Sequence, residues 1–181
     1  MGSTKFLQGA GDALAGGGAL PLPDVLDQHR AWIGSGWELG ARADLHACDL
    51  HLADFADALL SDADLHDADL HGAHLEGADL DGCDLHAAKL QGAHLRAASL
   101  PFADLHAADL HGADLHGADL HGADLHGADL SDADLGDTDL RGADLRLARG
   151  LCPLQLSTAR MDGATLLSET ASIDDPEPSR R

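Results

Sequence analysis

Rings are nearly missing from this 181-residue chain: it has no Tyr, and three Phe and two Trp bring aromatics to 3%. Ordinary cores lean on such side chains for bulk, so the interior expected here is narrow. Basic residues are also few, 11 Lys and Arg against 32 Asp and Glu, for a formal net charge of −21. That sign opposes a nucleic-acid ligand, whose recognition starts from a basic surface. No run of about 18 apolar residues exists, so no helical membrane span is expected. The first residues lack the apolar run, about seven or longer, of a secretory leader, and the chain is read as cytoplasmic. No nucleophile elbow, phosphate-cradling Gly loop or HExxH occurs. No enzymatic activity and no cofactor are expected.

What the chain does have is a period of five. From Ala43 to Leu145 it runs as Ala-Asp-Leu-x-x, and from Ala107 to Leu130 it reads AADLHGADLHGADLHGADLHGADL. Five matches neither the helical 3.6 nor the strand 2. Every fifth residue from 45 to 145 is Leu except Phe55, 20 of 21 positions. Two residues earlier stands Ala in 18 cases, with Cys48, Cys83 and Thr138 as the exceptions. Directly before the Leu stands Asp in 16 cases, replaced by Leu59, His74, Lys89, His94 and Ser99 in the others. One large and one small side chain per unit must face inward. A five-residue unit cannot bury a Leu alone, so units must stack. Four units close a square, and squares stack at about 4.8 Å.

These A-D-L-x-x units resemble the pentapeptide-repeat family, whose signature is A(D/N)LXX. The resemblance covers about 105 of the 181 residues. It implies an all-β solenoid, a right-handed quadrilateral β-helix with the Leu and the Ala two before it turned inward. Asp in place of Asn before the Leu changes surface charge and leaves the fold alone. About five coils give a rod of roughly 25 Å. Cys48 and Cys83 sit at inward small-residue positions 35 apart, on different sides, and read as buried thiols in a reducing compartment.

The ends differ from the middle. Residues 1–22 read as a flexible leader. Residues 23–40 read as a helical cap that starts at Pro23 with Asp24 as N-cap. Its apolar face is Val25, His29, Trp32 and Ile33, and it covers the open end of the β-helix. Residues 41–149 are the β-helix. Over 150–169 a short helix begins at Pro153. The frame then resumes, shifted by one, at Ala159-Arg-Met161 and Ala164-Thr-Leu166. Residues 170–181 read as disordered.

Function must lie on the outer walls. A separation of 20 residues means one coil apart on the same side. His46, His66, His86, His106 and His126 therefore form one unbroken column. Asp44, Asp64, Asp84, Asp104, Asp124 and Asp144 form another beside it. Duplication of a short unit would by itself copy such columns. Between 41 and 150 there are 22 Asp and one Glu against one Lys and five Arg, a net of −17. Duplex DNA of about 25 Å carries about 15 charges. Some members of the resembled family are DNA mimics that occupy the DNA-binding saddle of DNA gyrase, which makes a basic protein surface, gyrase in particular, the implied partner. The Asp column would be its contact. The implied oligomeric state is a monomer or a homodimer joined through β-helix ends. The repeated Asp and His also offer a substrate for a modifying enzyme such as an Asp/His hydroxylase. A third alternative is weak metal binding along the His column by Zn²⁺, Ni²⁺ or Cu²⁺. A flat ladder presents its ligands in parallel, so no dedicated metal site is expected. Protonating all 13 His would take the formal charge from −21 to −8, so surface character is expected to change between pH 7 and 5.

Overall fold

A computed structural model describes residues 21–168. The expected leader and disordered tail fall on residues outside that range, apart from the last two leader positions. The described residues begin with helix α1 (Leu22–Gly34), followed by the coils. Among the described residues the only extended segments longer than a single bridge are β1 (Asp144–Leu145) and β2 (Leu166–Leu167), with helix α2 (Pro153–Thr158) between them. Sparse strands are what a period of five produces, because each side is straight for only about two residues before the next corner. The walls are nonetheless hydrogen-bonded throughout. Parallel bridges join residues 20 apart, Asp44 to Asp64, Asp64 to Asp84 and onward to Asp124 with Asp144, and likewise on the other sides. The result is a right-handed quadrilateral β-helix.

Each unit satisfies its own backbone, which is why so short a repeat can fold. Around Leu85, the Leu N–H donates to the Asp104 carbonyl one coil on, at 2.7 Å, and the Asp84 N–H donates back to Ala63 at 3.0 Å. The Ala87 N–H reaches His106 at 2.9 Å, and the Ala88 N–H closes the corner onto the Leu85 carbonyl at 3.0 Å. The fifth donor, the His86 N–H, goes to the Asp84 carboxylate at 3.1 Å. A buried donor without a partner is costly, and none of these five lacks one.

The corner demands a left-handed residue two after each Leu, the requirement of a type II turn. Gly meets it at many corners, Gly112, Gly117, Gly122 and Gly127 among them, whereas Ala87, Ala97 and Ala107 adopt φ of 54°, 55° and 56° without that freedom. Inside, the Leu and Ala rows are almost wholly buried, from Ala43 to Leu145. Phe55 is fully buried too, so the expectation of an interior too narrow for rings fails in the first coil. Among the described residues no coil lies beneath that one, and α1 contributes Leu22 and Val25 to the same core. Cys83 and Thr138 fill small-residue slots and donate to the carbonyls of Leu60 and Leu115, each at 2.8 Å.

At the first end, α1 starts one residue before the expected Pro23, and Asp24 is not its N-cap. Pro21 holds that position and Asp24 lies in the first turn. Pro23 falls at an early helical position whose N–H would have no partner in any case. His29 is buried and its Nδ1 accepts the Ala43 N–H at 3.1 Å, tying the helix to the first coil. Trp32 stacks on His29 at 5.6 Å, and Trp37 stands beside Trp32 at 6.2 Å.

At the far end, α2 begins at Pro153 as expected, with the Gln155 carboxamide accepting the Cys152 N–H. The helix consumes one extra residue, so Arg160 bridges Asp139. The expected frame then fails. Leu166 pairs with Asp144 and Leu167 with Leu145, so Leu167, not Leu166, takes the central slot. A second extra residue enters in the turn at Asp162–Thr165. There Thr165, not Ala164, occupies the small-residue slot and donates to the Leu140 carbonyl at 2.9 Å.

Candidate functional site: the outer Asp and His columns

The walls place the two columns where a separation of 20 puts them. The backbone of His86 accepts from Asp67, His106 from Ala87 and His126 from Ala107, at 2.9–3.0 Å. The rings subdivide the column. His46 stacks on His66 at 5.0 Å, and His86, His106 and His126 stack at 5.1 and 5.2 Å. Among the described residues no ring contact joins His66 to His86. The break has a local cause: the Nδ1 atoms of His46 and His66 turn to Asp44 and Asp64, at 2.5 and 2.7 Å. The expected unbroken file is thus a stack of two and a stack of three.

The acidic column is more than a surface feature. Asp64, Asp84, Asp104 and Asp124 each accept the N–H two residues on, at 3.3, 3.1, 2.9 and 2.9 Å. Asp side chains favour such local bonds. Sequence reading gave these carboxylates charge alone and missed this second task; Asp ahead of a turn was the available signal. The column is also uneven in charge. Asp144 is gripped by the Arg146 guanidinium at 2.6–3.1 Å, which holds its carboxyl below the usual range. Burial opposes ionised Asp64, but the His66 ring and N–H outweigh it, and the carboxyl lies low while His66 is raised. Asp84, Asp104 and Asp124 form no ion pair among the described residues, and they are the column's free charges.

Arginines gather at the last coils. Arg141 chelates Asp139, which is buried and pushed down to about 2, chiefly by that hydrogen bond. Arg149 and Arg160 stand 3.7 and 3.9 Å from Asp129 and Asp139. The C-terminal coil is therefore partly neutralised: residues 141–150 carry one Asp against three Arg, whereas residues 101–140 carry ten Asp and no Lys or Arg.

A different side carries a second kind of mixed cluster. His74 and His94 stack at 4.7 Å, and Glu76 lies within 3.6 Å of both Nδ1 atoms. Sequence reading noted both His as departures from Asp and did not bring Glu76 to them. They stand 20 apart, but the reach of a longer acid from the neighbouring position is not visible in a period.

Comparisons place this geometry among known proteins. No curated protein sequence matches the chain. Solved structures also show a likeness, Rfr23, alr5209 and QnrB1 among them. Rfr23, a pentapeptide repeat protein from the cyanobacterium Cyanothece 51142, is 30% identical over 52% of this chain and 64% of its own, with a TM-score of 0.47. The chain thus spans less than two thirds of Rfr23. The pentapeptide repeat protein alr5209 from Nostoc Pcc 7120 is 35% identical over 61% of this chain and 84% of its own, TM-score 0.45. QnrB1, a plasmid-mediated fluoroquinolone resistance protein, is 21% identical over 64% of this chain and 68% of its own, TM-score 0.41. The profile of the family described as pentapeptide repeats (8 copies) matches residues 41–77, 78–117 and 108–146. That match takes in all of the regular coils and more than half of the chain, which belongs to the pentapeptide-repeat family.

Proposed function

We propose that this protein is a non-enzymatic interaction protein whose acidic rod takes the place of duplex DNA on a basic protein surface, with DNA gyrase as the candidate partner. The observation that carries the reading is the register of the free carboxylates. Asp84, Asp104 and Asp124 are locked one coil apart by backbone bridges. They stand in a region whose net charge of −17 is close to the about 15 of a DNA segment of that length. A rigid file of charges loses little entropy on docking, which favours binding. The columns lie on outward-facing walls, which suits docking to a surface over catalysis. The reading also places the chain in the cytoplasm, where Cys48 and Cys83 remain thiols. Leu147, Leu154, Leu166 and Leu167 are left exposed at the C-terminal end. They support end-to-end pairing of two copies over a monomer.

The test uses Asp84→Asn, Asp104→Asn and Asp124→Asn together. Asn keeps the side-chain oxygen that accepts the corner N–H and removes only the charge. Wild type is expected to inhibit gyrase supercoiling, or to protect it from a poison, at micromolar concentration. The triple variant is expected to stay folded and lose at least tenfold in potency, as charge complementarity implies. No effect of the wild type at that concentration, or equal potency of the variant, would remove the proposal.

A further inference from the structure

One side of the coil carries residues 54, 74, 94, 114 and 134 directly before its inward Phe or Leu. Three of these are Asp, and the second and third are His74 and His94. Parallel bridges hold His74 against His94, with Asp54 below and Asp114 above. The two rings are inclined by 22°, whereas the stacked pairs of the main His column are inclined by 9°, 6° and 3°. The pair is therefore splayed rather than flat. Glu76, the only Glu between residues 41 and 150, turns its Oε1 to both rings, 3.4 Å from Nδ1 of His74 and 3.6 Å from Nδ1 of His94. All three donor atoms lie within 4.8 Å of one another.

The groups on the main column differ in kind. Asp44 with His46 and Asp64, and Asp64 with His66 and Asp84, each offer one imidazole and two carboxylates. There each His takes the Asp of its own unit. In addition, Asp64 and Asp84 are engaged by corner N–H groups. The Glu76 carboxylate accepts no backbone N–H among the described residues, and two imidazoles share it.

We propose that His74, Glu76 and His94 form a surface site for one divalent transition-metal ion of the imidazole-preferring class, Zn²⁺, Ni²⁺ or Cu²⁺. Two ring nitrogens and one carboxylate are the ligand types this class takes. Three protein ligands leave further positions to water, as in open zinc sites. Metal–ligand bonds of about 2.0–2.2 Å require the three donors to close in. The side chains of His74 and His94 are about half exposed, at 48% and 49%, and can pivot to do so. Asp54 and Asp114 add a negative field on either side. Arg96, one coil above Glu76, opposes it and keeps the affinity moderate.

The test uses the untagged full chain, with ZnCl₂ in calorimetry and Cu²⁺ in electron paramagnetic resonance. His74→Asn with His94→Asn is expected to weaken the tightest Zn²⁺ event by roughly tenfold or more and to abolish coupling of Cu²⁺ to two imidazole nitrogens. Asn is close in shape to the Asp found at 16 of the 21 equivalent positions, and circular dichroism verifies that the coil persists. Glu76→Gln is expected to weaken binding while the two-nitrogen signature survives. His66→Asn with His86→Asn removes as many imidazoles from the other side and is expected to change neither readout. Equal losses in the two double variants, or no loss at His74 and His94, would overturn the site.

Discussion

A five-residue unit leaves each side chain a narrow task, and the cost of error is local. The clearest strain is at corners that lack Gly. Ala87, Ala97 and Ala107 hold φ near 55°, where a Cβ is penalised by about 1–2 kcal/mol. Gly removes that penalty but adds entropy to the unfolded chain, so each Ala→Gly is expected to stabilise by about 0.5–1 kcal/mol. The triple variant should melt about 5 °C higher by calorimetry; an unchanged or lower Tm would show that these corners are not strained. Inward and outward positions were legible in the sequence because Leu and Ala recur without exception in size class. The second use of Asp was not. A period reports which way a side chain faces, and it says nothing about which donor that side chain meets. The pairing of Glu76 with His74 and His94 escaped for the same reason.

At the scale of elements, the helical cap is held by a group that titrates. His29 is buried between α1 and the first coil. Loss of hydration depresses its pKa, and the carbonyls of Leu60 and Ser61 offset this only in part. The folded state therefore holds the proton less tightly than the unfolded chain. The cap is fully stable above pH about 6.5 and loses stability as pH falls below that value toward the depressed pKa. His66 has the opposite sign: its pKa is raised, so its contribution is present below about 6.5 and fades as pH rises past its folded value. Trp32 and Trp37, the only Trp residues, report on the cap. Their fluorescence is expected to shift as pH drops from 7 to 5 while the far-ultraviolet spectrum of the coil holds, and His29→Leu should abolish the shift. A shift that survives in His29→Leu would assign it elsewhere. The cap itself was readable from Val25, His29 and Trp32 at helical spacing. The far end was readable only as far as Met161, because the second extra residue sits in an irregular turn with no repeat to count against.

For the whole molecule, regularity decides what the surface can be. Because each coil stacks on the last without insertion between residues 41 and 149, a change in one unit is carried upward as a column. The shape and the sign of the charge were legible in the sequence. The pairing of Arg146 with Asp144 and of Arg141 with Asp139 was not, because each pair lies within a single unit, where a net count hides it. Everything functional depends on the columns being straight, and one distance tests this. Nitroxide labels at His46→Cys and His126→Cys, in a Cys152→Ser background, are separated by 80 residues of chain but only four coils. Pulsed dipolar spectroscopy should give a narrow distribution near about 19 Å, widened by the label arms. A broad distribution centred beyond about 30 Å would contradict the stacked coil and the charge register built on it.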